Sequence, residues 1–284
     1  MSIVNISSGN LDNFIDDNLR KILVENEHRL SWIPPYQLKN IVPIGGGGFA
    51  TVYSADWIDE SQAVNNRVAM KVLNGSDKAF IKELKANCEL GCENSFILRC
   101  YGVSKFNQKH CLILKYAKSG TLYDNLHLIT KMNWKEKFNL LKCIAQGLKI
   151  IHFKGYIHSD VHSKNIFLDD AKAYIGDFGN SVLTNEIHEE IYGVFSYMAP
   201  EILVGEKFTE ASDVYSFGVI MAELSTGQSP FDNPINIIDR KQSIFAEGTP
   251  ESYIRLAKRC MHPDPQERPT ARYISEYLAH DASI

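Results

Sequence analysis

The spacing of hydrophobic residues changes character about two fifths of the way along this chain. Before that point, short runs rich in Val, Ile, Leu and Tyr alternate with turn-forming or polar stretches, which indicates β-strands. The predicted strands are Leu38–Pro43, Thr51–Trp57, Arg67–Leu73, Leu98–Ser104 and Cys111–Tyr116. One segment in this part, Asp77–Leu90, has apolar residues at helical spacing and is predicted to be a helix.

After Ser119 the apolar residues recur mainly at helical spacing. The clearest stripe runs from Asn133 to Lys154, and a second helix, apolar on more than one face, follows Thr209. Two further helices are predicted over 252–261 and 270–280. A small strand-rich part followed by a larger helical part predicts an α+β fold of two lobes with a cleft between them.

The first 35 residues are polar and mixed and are predicted to be an N-terminal leader. Apolar residues at helical spacing predict an amphipathic helix over residues 12–26. The sequence leaves open whether this helix docks on the domain or stays apart from it. The prolines that follow Trp32 and Ile33 end any helix there, so the lobes are expected at 36–117 and 118–284.

Charge and hydropathy exclude several classes of protein. The chain of 284 residues has 30 Lys and Arg against 34 Asp and Glu, a net charge of −4, which gives no reason to expect a nucleic acid or an anionic membrane as partner. No apolar run approaches the roughly 20 residues of a membrane span. The N-terminal sequence also has no secretory signal pattern.

The six cysteines show no Cys-x-x-Cys spacing and no Cys/His spacing typical of a metal site. Most lie in apolar segments, which favours reduced cysteines packed as small hydrophobic residues in a cytoplasmic protein. A monomer is the default expectation for the oligomeric state.

A glycine-rich run, Ile44-Gly45-Gly46-Gly47-Gly48-Phe49, lies between two predicted strands. Glycines let backbone N–H groups approach phosphate oxygens without interference from a Cβ atom. A strand rather than a helix follows, so the run is not a dinucleotide-binding turn, and no Gly-Lys-Ser/Thr follows as in a Walker A loop. The remaining alternative to phosphate binding is a flexible hairpin.

Lys71 ends the apolar strand that contains Val68, Ala69 and Met70. By default it is a solvated charge at the end of a strand. The predicted helix offers Glu83 as a partner, and a lysine oriented by a carboxylate is suited to contact phosphate oxygens as a point charge.

The segment Ile157–Gly179 places Asp160, Asn165 and Asp177 around a predicted hairpin with Asp169 and Asp170 at its turn. Carboxylate and amide oxygens at the edges of such a hairpin can converge on a divalent cation, since Mg²⁺ prefers oxygen ligands. The alternative interpretation is that these carboxylates are only turn residues.

Taken together and in order, the motifs GGGGFATV, VAMK, HSDVHSKN, DFG and APE resemble those of a protein kinase over roughly residues 38–278. Five motifs in this order are far more specific than any one of them. The leader WIPPYQLKNI and the segment YGVFSYMAPE are most similar to tyrosine-kinase-like serine/threonine kinases of fungal type.

The resemblance implies an ATP-dependent transfer of phosphate to protein substrates, with serine or threonine as the favoured acceptor. Asp160 would be the catalytic base, Lys71 and Glu83 the phosphate-binding pair, and Asn165 and Asp177 the ligands of Mg²⁺, with Mn²⁺ as an alternative. The ATP-binding residues would be Ile44, Gly45, Gly46, Gly47, Gly48, Val52, Ala69, Lys71, Lys115, Ala117 and Phe167. Tyrosine or dual-specificity kinase and ATP-binding pseudokinase scaffold are the alternatives.

The resemblance also implies structural roles. Asp213 would brace the backbone of the catalytic loop, and Glu201 would form a buried ion pair with Arg268.

Several residues depart from the family pattern. Ala50 replaces the third glycine, Ser159 replaces the usual arginine before the catalytic aspartate, and Val194 replaces a common threonine. We predict from Ser159 that activity does not require phosphorylation of the activation segment. His162 lies where serine/threonine kinases usually have lysine, whereas Lys164, included among the catalytic residues, lies where many tyrosine kinases have a basic residue. Asn87 would lie in the core, with its effect left open.

Overall fold

The computed structural model describes residues 17–26, 30–59, 64–91, 96–185, 193–228 and 244–280. The chain divides into two compact units, the first formed by residues 1–88 and 100–116 and the second by residues 89–99 and 117–284. The boundary after residue 116 coincides with the change of hydrophobic pattern in the sequence.

A six-stranded sheet forms the first unit. Its strands are β1 (Ser31–Trp32), β2 (Leu38–Gly46), β3 (Ala50–Asp59), β4 (Val64–Leu73), β5 (Cys100–Phe106) and β6 (Lys109–Lys115). The strand order is β1-β5-β6-β4-β3-β2, and every pair is antiparallel except β1 with β5. The sequence predicts five of these strands and misses β1, because two residues are too few to show alternation.

Alternate residues of this sheet form a buried apolar core. Its members are Ile33, Leu38, Ala55, Val68, Met70, Val72, Cys111 and Ile113. Burial raises the pKa of the Cys111 thiol to about 12. The thiol therefore stays protonated at neutral pH and packs as a small hydrophobic group, as the sequence predicts. Cys92, another of the six cysteines, lies outside the described residues.

Two helices belong to this part of the chain, α1 (Asp17–Glu25) and α2 (Asp77–Gly91). Leu19 of α1 is fully buried, and Ile22 and Leu23 are buried as well. A helix of nine residues cannot cover its own apolar face, so other parts of the chain cover it. The apolar face of α1 is therefore buried, whereas residues 12–16 of the predicted helix lie outside the described residues.

The second unit is mainly helical. Its helices are α3 (Leu126–Ile129), α4 (Trp134–Phe153), α5 (Pro200–Leu203), α6 (Glu210–Thr226), α7 (Glu251–Cys260) and α8 (Ala271–His280). Its strands are β7 (Tyr156–Ile157), β8 (Ile166–Asp169), β9 (Lys172–Ile175) and β10 (Val182–Leu183), paired as β8–β9 and β7–β10. Helix α4 packs against α8 and β9, and α6 packs against α7. Among the described residues, no helix is both long and apolar enough to cross a membrane.

Polar residues define where the two long helices begin. The Asn133 side chain accepts a hydrogen bond from the Glu136 backbone at 3.0 Å, and Glu136 accepts one from the Asn133 backbone at 2.9 Å. Thr209 and Ser212 form the same reciprocal cap at the start of α6. These capping boxes satisfy backbone N–H groups that have no partner within the helix, and they explain why the predicted starts are correct.

Residues 89–99 differ from the prediction, which placed them in the first lobe. The Leu98 N–H donates to Ile175 O at 2.8 Å, and the Ile175 N–H donates to Phe96 O at 3.0 Å. These backbone bonds attach the segment to strand β9, so it belongs to the second unit. The predicted strand Leu98–Ser104 consequently begins at Cys100.

The ion pair expected between Glu201 and Arg268 forms in the second unit. The guanidinium donates to both carboxylate oxygens of Glu201, at 2.6 and 2.7 Å, and both residues are buried. It also donates to His262 O at 2.7 Å and to Ala211 O at 3.0 Å. The pair therefore connects the start of α5 to the chain before α8.

We predict that Arg268→Met lowers the free energy of unfolding by about 3–5 kcal/mol, because it leaves the Glu201 carboxylate buried without its cation. Urea denaturation measures this loss. The matched control is Arg67→Met, since Arg67 pairs with Asp56 at 3.2 Å and is about half exposed. That variant should cost no more than about 1 kcal/mol, and equal losses in the two variants would contradict the prediction.

Candidate active site

The glycine-rich run forms the hairpin that joins β2 and β3 in the first unit. The Gly47 N–H donates to Ala50 O at 2.9 Å, and the Asn74 N–H donates to Phe49 O at 2.9 Å. Cβ atoms built at Gly45, Gly47 and Gly48 would meet nothing within 4 Å. Packing within the protein therefore does not require glycine at these positions, which leaves the surface of the loop open to a ligand.

Ala50 is the first residue of strand β3, so its backbone is extended. The energetic cost that a left-handed conformation would impose on alanine does not arise here.

Lys71 and Glu83 meet in the first unit. The Lys71 ammonium donates to Glu83 Oε1 at 2.7 Å, and the two residues are only 7% and 1% exposed. Lys71 lies opposite Val52 in the β3–β4 register. Ala69 lies opposite Leu114, the residue before Lys115, in the β4–β6 register. The sheet thus gathers the four residues of this unit that the sequence assigns to the nucleotide site outside the glycine run.

Asn87 is buried one turn after Glu83 and turns its amide back onto its own helix. Its Nδ2 donates to the Glu83 backbone carbonyl at 2.9 Å. This bond satisfies a polar side chain in an apolar environment, so Asn87 adds a constraint to the helix turn that carries Glu83.

In the second unit, the carboxylate of Asp213 holds the loop that leads to Asp160. Its two oxygens accept the backbone N–H groups of His158 and Ser159, at 2.8 and 2.9 Å. Ser159 has a φ of +65°, a left-handed conformation that costs a serine about 1–2 kcal/mol. The two bonds to a buried carboxylate offset this strain, and the bracing role expected for Asp213 is present.

The Asp160 carboxylate is held by neighbouring polar groups. Asn180 Nδ2 donates to Asp160 Oδ2 at 3.1 Å, and His162 Nε2 lies 3.4 Å from Oδ1. Burial raises the pKa of Asp160, but the contacts with His162 and Asn180 outweigh it, so the pKa lies below the ordinary value. Asp160 is therefore ionised at neutral pH. The role of Asn180 was missed, since nothing in its position after the DFG motif predicts it.

His158 connects this loop to the DFG segment. Its Nδ1 accepts the Asp160 N–H at 3.3 Å, which leaves Nε2 as the protonated nitrogen that donates to Gly176 O at 3.1 Å. Its ring also packs on Phe178, with 5.4 Å between the ring centroids. The His158 side chain thus fixes the loop of Asp160 relative to the residue before Asp177.

Asn165 and Asp177 suit a divalent cation. Asn165 Nδ2 donates to Asp160 O at 2.9 Å, which leaves its side-chain oxygen as the ligand atom. The Gly176 N–H donates to Asn165 O at 3.0 Å, which brings Asp177 next to Asn165. One amide oxygen and one carboxylate fit Mg²⁺, which usually takes few protein ligands beside water and phosphate.

The remaining predicted residues of this unit are spread around the hairpin. Phe167 is paired with Tyr174 between β8 and β9, and Ala117 follows β6. Lys164 is exposed, and its ammonium lies 4.6 Å from the ring centroid of Tyr123. The basic side chain in contact with Asp160 is His162, and a catalytic role for Lys164 stays a prediction. Asp169 ends β8, and Asp170 lies in the β8–β9 turn.

A buried hydroxyl network joins the catalytic loop to α6. Tyr197 donates its hydroxyl to Glu223 Oε1 at 2.6 Å, and the same hydroxyl lies 2.9 Å from Ser163 Oγ. Burial raises the pKa of Tyr197, so the phenol stays protonated and remains a donor. The ring of His162 packs on Tyr197 at 5.6 Å. The backbone around Tyr197 is therefore tied to the loop that carries Asp160.

The sequence matches one family model and several known proteins. Residues 38–278 match the family model described as protein tyrosine and serine/threonine kinase. A probable serine/threonine-protein kinase of Dictyostelium discoideum is 34% identical over 85% of this chain and 28% of its own length. From Arabidopsis thaliana, MDIS1-interacting receptor like kinase 2 is 30% identical over 82% of this chain and 25% of its own length. The chain thus spans well under half of the length of these relatives.

We predict that Asp213→Asn lowers the free energy of unfolding by about 1–3 kcal/mol, because an amide cannot accept both backbone N–H groups and leaves one buried donor unpaired. Urea denaturation with an unchanged slope measures the loss. Glu210→Gln is the control, because the Glu210 carboxylate is about half exposed and lies 3.9 Å from His152. Its effect should stay within about 0.5 kcal/mol. Equal stability of Asp213→Asn and the wild type would refute the bracing role.

Proposed function

Because the chain belongs to the protein tyrosine and serine/threonine kinase family, we propose that it transfers the γ-phosphate of ATP to serine and threonine hydroxyls of protein substrates. Members of this family use ATP and a divalent metal ion and act on proteins. The chemistry depends on positioning and on stabilising the charge of the transferred group. Activity therefore requires a cation at the phosphates, a carboxylate at the acceptor hydroxyl and ligands for the metal ion.

In the first unit, Lys71 is proposed to contact the α- and β-phosphates. Its ammonium has an acceptor on one side in Glu83, at 2.7 Å, which fixes its direction. The open glycine run would cover the phosphates with its backbone. Val52 and Ala69, on neighbouring strands, would contact the adenine.

The single observation that carries the proposal is the state of Asp160. The carboxylate is ionised, Oδ2 is held by Asn180, and Oδ1 has no hydrogen-bond donor at close range among the described residues, with His162 Nε2 at 3.4 Å. An oriented, ionised carboxylate is what a general base needs to accept a hydroxyl proton. This arrangement favours an active enzyme over a scaffold.

The Asp160 carboxylate lies beside a small pocket of about 10 Å³, enough for one water molecule, which is lined by Gly193, Val194 and Met198 among others. A Cβ atom at Gly193 would lie 3.2 Å from Asp160 Oδ1, so any larger residue there would crowd the proposed acceptor. Val194 and His162 leave tyrosine or dual specificity as the alternative.

Mg²⁺ is the metal ion that we propose, with Mn²⁺ as an alternative. Held by Asn165 and Asp177, it would neutralise charge on the phosphates of ATP. The cytoplasmic location, the monomeric state and the lack of nucleic-acid and membrane partners expected from the sequence stay predictions.

We predict that Asp160→Asn lowers kcat by about 10²–10⁴-fold, the usual contribution of a positioned general base. ATP affinity should change little, because the substitution keeps the shape of the side chain. Phosphate transfer to a generic protein and binding of a fluorescent ATP analogue measure the two effects. Asp170→Asn, the same change in the β8–β9 turn, should leave both unchanged. Full activity of Asp160→Asn would overturn the assignment.

We predict that treatment with a protein phosphatase leaves turnover unchanged within about twofold. Ser159 provides no cation for a phosphate on the activation segment. The Tyr197 hydroxyl holds the chain that follows this segment to Glu223 and Ser163 without phosphorylation. Activity before and after treatment, with mass spectrometry to verify removal of phosphate, is the measurement. Loss of turnover that returns on rephosphorylation would contradict this prediction.

A further inference from the structure

One face of the sheet in the first unit carries residues assigned to the nucleotide site. Side chains alternate between the two faces of a strand, and the apolar core contains Val68 and Met70 of β4. Ala69 and Lys71 therefore lie on the opposite face. Arg67 lies on that same face, two positions before Ala69. It is thus the next side chain in the row that the sequence assigns to ATP.

Three groups surround the Arg67 guanidinium. Its Nη2 donates to Ser54 Oγ at 2.9 Å, and its Nη1 donates to Asp56 Oδ1 at 3.2 Å. Its Cζ lies 5.6 Å from the centroid of the Tyr116 ring, within the range of a cation–π contact. Ser54 is fully buried, and Asn40 donates to the other oxygen of Asp56 at 2.7 Å. The guanidinium therefore has a fixed anchor on β3, from which it holds the tyrosine ring.

Tyr116 lies just beyond the end of the sheet. Strand β6 ends at Lys115, and the β4–β6 register ends at the same residue. The first unit ends at Tyr116. In the next residue, the Ala117 carbonyl accepts the Gly120 N–H at 3.1 Å, in a turn of the second unit. The contact with Arg67 therefore extends the hold of the sheet by one residue beyond its last pair.

Tyr116 is also the residue between Lys115 and Ala117, both of which the sequence assigns to the ATP site. A backbone N–H or C=O binds a ligand well only when its direction is fixed, because hydrogen bonds weaken steeply away from alignment. Rotation of the backbone at Tyr116 would turn the peptide groups on both sides of it. A ring that is held in place opposes this rotation and lowers the entropy that is lost on binding.

We propose that Arg67 is a positioning residue for the nucleotide site, which acts through the ring of Tyr116 on the backbone of residues 115–117. The ligand that this backbone binds is the adenine of ATP, so the kinetic part of the inference rests on the proposed function. The structural part, that Arg67 holds the end of β6, does not depend on any activity.

The kinetic test is a double-mutant cycle in the full chain. Arg67→Met should raise KM for ATP by about two- to fivefold, the equivalent of one partly exposed cation–π contact, with kcat unchanged because only binding is weakened. Tyr116→Leu should raise KM by a similar factor, whereas Tyr116→Phe, which keeps a ring, should stay near the wild type. In the Tyr116→Leu background, Arg67→Met should add little, since the contact is already lost. Partial unfolding would lower the apparent kcat and leave KM unchanged, so a poorly folded variant cannot imitate this result.

Arg259→Met is the matched control, because it removes the same kind of contact from the second unit. The Arg259 guanidinium lies 5.1 Å from the ring centroid of Tyr273 and donates to its hydroxyl at 3.3 Å. The two residues belong to α7 and α8, so the variant should leave KM for ATP unchanged. An increase in KM for Arg67→Met no larger than that for Arg259→Met would overturn the inference. So would an increase that persists in full beside Tyr116→Leu.

Hydrogen exchange without nucleotide provides a readout that does not depend on activity. In Arg67→Met, amide protection should fall by about two- to fivefold at the end of β6, in residues 113–115, and stay unchanged in α4 (Trp134–Phe153). Equal protection of residues 113–115 in the variant and the wild type would refute the positioning role. If the wild type transferred no phosphate, the proposed function would fail, and this measurement would still decide whether Arg67 holds the end of β6.

Discussion

The catalytic loop depends on one buried carboxylate, that of Asp213 on helix α6. It accepts two consecutive backbone N–H groups, of His158 and Ser159, and so offsets the left-handed backbone at Ser159. The His158 imidazole then forms hydrogen bonds to the Asp160 N–H on one side and to the Gly176 carbonyl on the other. Helix α6 therefore fixes the positions of both the candidate base and the candidate metal ligands, as a preorganised site requires.

In the first unit, a buried ion pair fixes the position of a functional charge. Removing Lys71 and Glu83 from water is costly, and the pair is retained only if its geometry is good. That geometry depends on a strand, which fixes Lys71, and on a helix, which needs its own supports. Asn87 stabilises the turn of Glu83 from within the helix.

Much of this could be predicted from the sequence. The strands, the long helices and the β8–β9 hairpin follow from periodicity, and the Glu201–Arg268 pair follows from resemblance to the family. Strand β1 was missed because two residues carry no period, and residues 89–99 were misassigned because backbone bonds to Ile175 leave no trace in side-chain pattern. The contacts of Asn180 and His162 with Asp160 depend on tertiary geometry. The tyrosine-kinase-like subgroup and the roles of individual site residues stay predictions.

We propose that this chain transfers phosphate and does not merely bind ATP. The most direct measurement uses the purified wild-type protein with Mg²⁺ and ATP labelled in the γ-phosphate, a generic protein substrate, and phosphoamino acid analysis of the product. We predict label on serine and threonine, and none when Lys71→Met replaces the wild type. An increase in melting temperature with ATP and Mg²⁺, without any transfer of label, would rule out the proposed activity and identify a nucleotide-binding scaffold.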